Sequence, residues 1–175
     1  KALDSAQLAV ELNPNRPLAH VALGVSLASA GDWPAAIAAY RQAIALDPTV
    51  AIGHYFLGMA LMNSGDDDAA VEHYRQAISL GAAFAKLHNN LGTLLDRRGD
   101  VDGALTHYYE ALTLDPNYAR AYSNIGVFFQ RAGNLGAATK CLRQAVELDP
   151  NYAVAHYNLG LALGDTADRD AAIEE

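Results

Sequence analysis

Residues 17–50 read PLAHVALGVSLASAGDWPAAIAAYRQAIALDPTV, and the pattern of this stretch returns three more times along the chain. A proline near the end of three of the four copies marks a period of 34 residues, and Ala82 stands at the corresponding position of the remaining copy. The prolines of the series are Pro14, Pro48, Pro116 and Pro150. A period held over the whole chain predicts a stacked array of repeats and argues against a globular enzyme fold.

Small and large residues also recur with the period of 34 residues. A leucine or isoleucine followed by glycine recurs as Leu23-Gly24, Leu57-Gly58, Leu91-Gly92, Ile125-Gly126 and Leu159-Gly160. A tyrosine recurs later in the unit, as Tyr40, Tyr74 and Tyr108, and Leu142 takes its place in the next copy. Because glycine lets a second helix come close, this alternation of small and large residues indicates interlocking helix faces.

Turn signals divide each unit into two helices. A glycine stands beside a helix-capping residue at Gly31-Asp32, Gly65-Asp66, Gly99-Asp100 and Gly133-Asn134. Between these turns, apolar residues recur at intervals of three and four, and no segment alternates as a strand would. The pattern predicts first helices at about 18–30, 52–64, 86–98, 120–132 and 154–166. Second helices are predicted at about 35–46, 69–80, 103–114 and 137–148.

This pattern resembles the tetratricopeptide repeat and covers essentially the whole chain. The units are 17–50, 51–84, 85–118 and 119–152, with 1–16 as the end of a preceding repeat and 153–175 as a truncated fifth. The resemblance implies an all-α fold, an α-solenoid in which antiparallel helix pairs form a right-handed superhelix. The array resembles the type seen in O-linked N-acetylglucosamine transferases and in bacterial scaffold proteins. Gly81 can still end its helix where Ala82 replaces proline, whereas Ala167 stands where a glycine is expected.

Composition and charge exclude several functional classes. The chain is 51% hydrophobic, 8% aromatic and 18% charged, which suits an alanine-rich helical array. A net charge of −8 argues against nucleic acid as a partner, and no apolar run is long enough for membrane insertion. We expect a cytoplasmic protein, and the resemblance implies protein or peptide partners. The single cysteine, Cys141, cannot form an internal disulfide and is expected to pack within a second helix.

The candidate catalytic and metal-binding residues have structural explanations. Histidines recur one repeat apart, as His20, His54, His88 and His156 on first helices and as His73 and His107 on second helices. Members of one series lie about 10 Å or more apart, whereas zinc ligands converge to about 2 Å from the ion. The triplet Asp66-Asp67-Asp68 is explained by helix capping, because a calcium loop alternates its acidic ligands. We expect no enzyme activity, no cofactor and no metal site.

The resemblance implies that the first helices line a concave groove that holds an extended peptide or a partner's helix. Groove positions carried onto the first two repeats are mostly apolar and comprise Leu18, Val21, Val25, Ala28, Ser29, Ile52, Tyr55, Met59, Met62 and Asn63. In the next two they are polar or basic and include Lys86, Asn89, Asn90, Thr93, Asp96, Arg97, Arg120, Asn124, Val127 and Arg131. The expected groove therefore changes character halfway along the chain.

Each half of the groove has two interpretations. The apolar half indicates an interaction site, unless a flanking segment or the neighbouring helices cover it. The basic half suits an acidic peptide, unless it is a solvated face partly neutralised by Asp96. Asn90, Asn124 and Asn158 resemble the asparagine ladder that lines the array of O-linked N-acetylglucosamine transferases, where amides hold a peptide backbone.

Three functions fit these residues. The first is a non-catalytic scaffold that binds a peptide or helix in its groove. The second is the substrate-recognition arm of a larger enzyme, such as a glycosyltransferase or a kinase. The third is a self-assembling array, in which uncapped ends with apolar residues such as Leu8, Leu12 and Leu163 form a homo-oligomer.

Overall fold

The computed structural model describes the backbone of residues 1–174 and the side chains of residues 1–165. Within the described backbone the chain forms ten α-helices and no strand. The all-α solenoid class expected from the repeat is thereby confirmed.

The helices fall into two compact units. The first unit, Lys1–Ala83, contains α1 (Ala2–Leu12), α2 (Pro17–Ser29), α3 (Trp33–Leu46), α4 (Ala51–Asn63) and α5 (Asp67–Ser79). The second unit, Phe84–Glu175, contains α6 (Ala85–Arg97), α7 (Val101–Leu114), α8 (Ala119–Arg131), α9 (Leu135–Leu148) and α10 (Ala153–Glu174). Apart from the end of α10, every predicted boundary agrees with the structure to within two residues.

Local side-chain bonds fix the start of each second helix. The carboxylate of Asp66 accepts a hydrogen bond from the backbone amide of Ala69 at 3.2 Å, and Gly65, just before it, has a φ of 83°. The same capping bond is made by Asp32, Asp100 and Asn134. The predicted turns are thus confirmed, and the first aspartate of the triplet acts as a helix cap.

The two helices of a repeat touch where a glycine faces a large side chain. A Cβ atom added at Gly92 would lie 2.7 Å from the ring of Tyr108 and 3.0 Å from the backbone oxygen of Ala104. The corresponding contacts are Gly24 with Tyr40, Gly58 with Tyr74, and Gly126 with Leu142. These large side chains are buried, so each helix pair has its core at this contact.

The structure confirms what was expected at Gly81 and contradicts the helix end expected near residue 166. Gly81 has a φ of 87° and follows the end of α5, so it replaces the missing proline as a helix terminator, as expected. The first helix of the last unit was predicted to end near residue 166, but α10 continues to Glu174. The prediction of that boundary was wrong because no glycine at position 167 allows the backbone to leave the helix.

Two glycine substitutions test the helix contact with the same chemical change. Gly92→Ala places a methyl group against the immobile backbone of Ala104, so we expect a loss of about 1–3 kcal/mol in the free energy of unfolding. Gly160 holds the same repeat position in α10, but its Cβ would meet no atom within 4 Å. Gly160→Ala should therefore stabilise the protein by up to about 1 kcal/mol. Urea unfolding measures both, and equal effects would contradict the proposed role of Gly92.

Candidate functional site

Side chains predicted to line the groove in the first unit differ in exposure. Leu18 is 52% exposed, and Val25, Ile52, Met59 and Met62 are half-buried. These five side chains reach the surface of α2 and α4.

Val21 and Tyr55 are buried, so the expectation that they lie at the surface was wrong. The ring centroid of Tyr55 lies 5.1 Å from that of Phe56 and 6.2 Å from that of Tyr74. The neighbouring aromatic rings therefore cover Tyr55, as the second interpretation of the apolar half allowed. Both residues belong to the core of the unit.

An apolar cleft of about 250 Å³ opens between α2, α3 and α4. It is lined by Val25, Ala28, Ser29, Trp33, Tyr40, Phe56 and Met59. Three of these, Trp33, Tyr40 and Phe56, were not among the predicted site residues. Trp33 and Tyr40 belong to a second helix, and the prediction considered first helices only. The one feature of the sequence that could have indicated this cleft is Trp33, the single tryptophan of the chain.

Tyr40, one of the residues that line this cleft, has an unpaired polar group. Its side chain is fully buried, and its hydroxyl has no hydrogen-bond partner within the described residues. The corresponding hydroxyl of Tyr74 donates to the sulfur of Met62. Burial raises the pKa of Tyr40 to about 12, so the hydroxyl keeps its proton at neutral pH. A buried hydroxyl without a partner costs free energy, and a ligand atom that accepts its hydrogen bond would remove that cost.

A second cleft in the first unit lies between α1 and α2. It measures about 380 Å³ and is lined by Ala9, Leu12, Asn13, Arg16, Leu18, Ala19 and Ala22. It includes Leu18 of the predicted groove, but no unpaired buried polar group lines it among the described residues. We therefore place the candidate peptide site at the cleft between α2, α3 and α4.

Polar side chains join consecutive first helices in the second unit. The amide of Asn124 on α8 donates to Oδ1 of Asn89 on α6 at 3.0 Å, and Gln130 on α8 donates to Asp165 on α10 at 2.7 Å. Arg131 on α8 forms an ion pair with Asp96 on α6. Each bond links residues 35 positions apart, so one repeat contacts the next at two levels of the helix. We call these three bonds the polar ladder.

The polar ladder uses side chains that had been assigned to a ligand. Asn89 is only 5% exposed, so its amide is part of the core rather than of a surface. Arg131 is paired with Asp96, which agrees with the interpretation of a partly neutralised face. The guanidinium of Arg120 lies 5.9 Å from the centre of the Tyr152 ring. Lys86 and Arg97 are exposed. The other predicted residues here, Asn90, Thr93, Val127 and Asn158, are half-buried.

Histidines of the two helices of a repeat meet in pairs, which the sequence analysis missed. Nδ1 of His54 on α4 lies 3.0 Å from Nδ1 of His73 on α5, and the same atoms of His88 and His107 lie 3.1 Å apart. We call these two contacts the histidine pairs. The periodic histidines lie 34 residues apart on like helices, whereas the members of a pair are 19 residues apart and lie on different helices of one repeat.

A hydrogen bond to a backbone carbonyl orients three of the first-helix histidines. Nε2 of His54 lies 3.1 Å from the carbonyl oxygen of Pro48, and His20 and His156 make the same bond with Pro14 and Pro150. Because a carbonyl oxygen only accepts, Nε2 of these histidines carries a proton. Nδ1 of neutral His54 is therefore the acceptor, and His73 donates to it.

Nearby charges differ between the two histidine pairs. Burial lowers the pKa of His73, and the charges of His54 and Arg41 lower it further, whereas Glu72 opposes them. Burial also lowers the pKa of His88, and there Glu110 opposes it. In each pair, burial therefore favours the neutral form of one member, His73 or His88.

Cys141 lies in the position that a second-helix histidine holds in the two preceding repeats. Together with Tyr122, Phe129, Ala137, Lys140 and Gln144 it lines a cleft of about 360 Å³. Burial raises the pKa of the Cys141 thiol, and Lys140 opposes the rise. A half-buried thiol with a raised pKa behaves as a packing residue, as expected.

Two further features were sought among the described residues, a cluster of metal ligands and a membrane-spanning helix. No three His, Cys, Asp or Glu side chains among them converge as ligands of a metal ion. None of the described helices combines the length and apolar character that crossing a bilayer requires.

Comparison with known proteins identifies the family. A family model described as TPR repeat matches residues 26–65, 97–133 and 130–166, and models described as tetratricopeptide repeat match 51–81 and 85–108. The chain therefore belongs to the tetratricopeptide repeat family. A search of curated proteins finds no match.

Solved structures of similar proteins support the same conclusion. YrrB, described as a TPR protein with an unusual peptide-binding site, is 25% identical with a TM-score of 0.80, over 99% of this chain and 89% of that one. MamA is 26% identical with a TM-score of 0.74, over 86% of this chain and 88% of that one. The Cut9–Hcn1 hetero-tetramer of APC/C, 24% identical, shows the same fold with a TM-score of 0.82, over 94% of this chain and 33% of that one.

The family and these neighbours support a protein–protein interaction scaffold with protein or peptide partners. Tetratricopeptide repeat proteins are generally non-catalytic scaffolds.

Asn124→Ala tests whether the polar ladder is structural. The substitution leaves the buried Oδ1 of Asn89 without its donor, so we expect a loss of about 1–3 kcal/mol in the free energy of unfolding. Asn117→Ala, at an exposed turn of the same unit, should change it by no more than about 0.5 kcal/mol. Urea unfolding monitored by circular dichroism compares the two variants. An Asn124→Ala protein as stable as the control would contradict the structural role.

Proposed function

We propose that this chain is an interaction scaffold that holds an extended peptide on the first-helix face of its first unit. One apolar side chain of the peptide occupies the cleft between α2, α3 and α4. The observation that carries this proposal is the cleft itself, which has an apolar lining, and one of its lining residues, Tyr40, has a buried hydroxyl without a partner among the described residues.

The lining of the cleft favours an apolar anchor. Val25, Phe56 and Met59 offer aliphatic, aromatic and thioether surfaces, and methionine adapts to side chains of different shape. The hydroxyl of Ser29 is bonded to the backbone oxygen of Val25, so it adds little polarity. Buried anchors of this kind supply most of the binding energy at protein interfaces. The likeness to YrrB, a TPR protein with a peptide-binding site and 25% identity to this chain, supports the same type of ligand.

The hydroxyl of Tyr40 adds a requirement for polarity. Its proton needs an acceptor, and a peptide backbone carbonyl next to the anchor side chain is one that every peptide has. The ligand we propose is therefore an extended segment that places an aliphatic or aromatic side chain and a carbonyl oxygen in the cleft together.

In the second unit we propose a supporting role. The polar ladder uses Asn89, Asn124 and Arg131 within the unit, so these side chains stabilise the packing of its repeats.

Ala28→Glu tests the cleft directly. The probe is a set of peptides selected against the full chain from a displayed library of random sequences, with affinities measured by calorimetry. Ala28 lines the cleft in the last turn of α2, so a carboxylate there should weaken binding at least tenfold. Ala45→Glu makes the same change in the last turn of α3, at an exposed residue outside the cleft, and should leave affinity unchanged. Equal affinities for the two variants would contradict the proposal.

Tyr40→Phe separates a binding role from a structural one. In the free protein it removes an unpaired buried hydroxyl, so the free energy of unfolding should stay the same or rise by up to about 2 kcal/mol. For the selected peptides it removes a donor, and affinity should fall about tenfold, equivalent to about 1.4 kcal/mol.

Tyr74→Phe is the matched control for this change. It deletes a hydroxyl that already donates to Met62, so peptide affinity should be unchanged. Unchanged affinity in Tyr40→Phe, or a loss of stability in its free form, would contradict the role of this hydroxyl in the ligand site.

A further inference from the structure

We propose that each histidine pair is a binding site for one divalent late transition-metal ion, held by Nδ1 of both imidazoles. The first site is His54 with His73 in the first unit, and the second is His88 with His107 in the second unit. The inference is independent of peptide binding.

The separation of the nitrogen atoms fits shared coordination. With metal–nitrogen bonds of about 2.0–2.1 Å, two ligands at a right angle lie about 2.9 Å apart, and two at the tetrahedral angle lie about 3.3 Å apart. The observed separations of 3.0 and 3.1 Å fall between these values. The separation therefore allows both imidazoles to bind one ion once the rings turn so that each Nδ1 lone pair points at it.

The bond from His54 to the backbone prepares it as a ligand. Nε2 lies 3.1 Å from the carbonyl oxygen of Pro48, which keeps the proton on Nε2 and leaves the lone pair on Nδ1. Metal-ligating histidines commonly donate their second ring nitrogen to a carbonyl in this way. His73 donates from Nδ1 in the free protein, so metal binding moves its proton to Nε2. Two neutral imidazoles remain, and no net proton is released.

The number of ligands decides which ions fit. Because the described residues supply no third ligand, water completes the coordination sphere. Imidazole with water suits copper, nickel and zinc, and the order of divalent affinities places copper above the other two. Calcium and magnesium, which prefer oxygen ligands, should not bind.

Nearby charges predict unequal affinities. Glu110 places a negative charge near His88, whereas the positive charge of Arg41 acts on His73 and is opposed by Glu72. A divalent cation is therefore favoured at the second pair, and we expect the pair of His88 and His107 to fill first.

The chain contains its own controls. His20 makes the same backbone bond as His54, but the residue 19 positions later is Ala39, so it has no imidazole partner. A single imidazole binds such ions more weakly than two that converge. Only paired histidines should therefore form a site.

The test is a calorimetric titration of the tag-free chain with nickel chloride at pH 7.5, in a Cys141→Ser background that removes the thiol. We expect two bound equivalents. His73→Gln and His107→Gln should each remove one, because each leaves only one imidazole, and His20→Gln should remove none. Circular dichroism checks folding, which His73→Gln and His107→Gln should preserve because both residues are half-buried, and the same check is made for the variant of the buried His20.

A second measurement needs no variant of a paired histidine. Nitrogen-15 spectra of the imidazole rings, recorded with zinc chloride, should show Nδ1 shifts for His54, His73, His88 and His107 and none for His20. Nickel stoichiometry unaffected by His73→Gln and His107→Gln would overturn the proposal. Zinc-induced shifts at His20 equal to those of the paired histidines would overturn it as well.

Discussion

The close approach of two helix backbones at a glycine is the contact on which each repeat depends. At Gly24, Gly58 and Gly92 the first helix lies directly against a tyrosine ring of the second helix, and no side chain larger than hydrogen fits between them. Gly126 meets Leu142 in the same way, and because the glycine and its large partner must meet in each of these helix pairs, the distance between them along the chain cannot vary. This requirement explains why the 34-residue step is kept where many other residues change.

The same contact determines what the surface offers to a partner. Each tyrosine is buried by the glycine that it faces, so its hydroxyl must find a partner inside the repeat or remain without one. The hydroxyl of Tyr74 donates to the sulfur of Met62, whereas that of Tyr40, a residue that lines an apolar cleft, has no partner within the described residues. The same contact between glycine and tyrosine thus gives Tyr74 a hydroxyl that is hydrogen-bonded within the core, and gives Tyr40, one repeat earlier, a hydroxyl that is a candidate donor to a ligand.

Local signals made most of the helices predictable. Each second helix begins at an Asp or Asn that caps its own first turn, so the boundary depends on residues only a few positions apart. The cleft and the histidine pairs depend on how two helices meet. Their members, such as His54 and His73, lie 19 positions apart and belong to different elements. The burial of Tyr55 was missed for the same reason, since Tyr74 of the second helix helps to cover it.

The most direct test of the proposed peptide site uses the two methionines, Met59 and Met62, which both lie on α4. Carbon-13 labelling of their methyl groups gives two signals, one from a residue that lines the cleft and one from its neighbour a turn away. If a selected peptide places its anchor in the cleft, the Met59 signal moves with an affinity equal to that found by calorimetry. Two signals unchanged at saturating peptide would contradict the assignment of the cleft as the binding site.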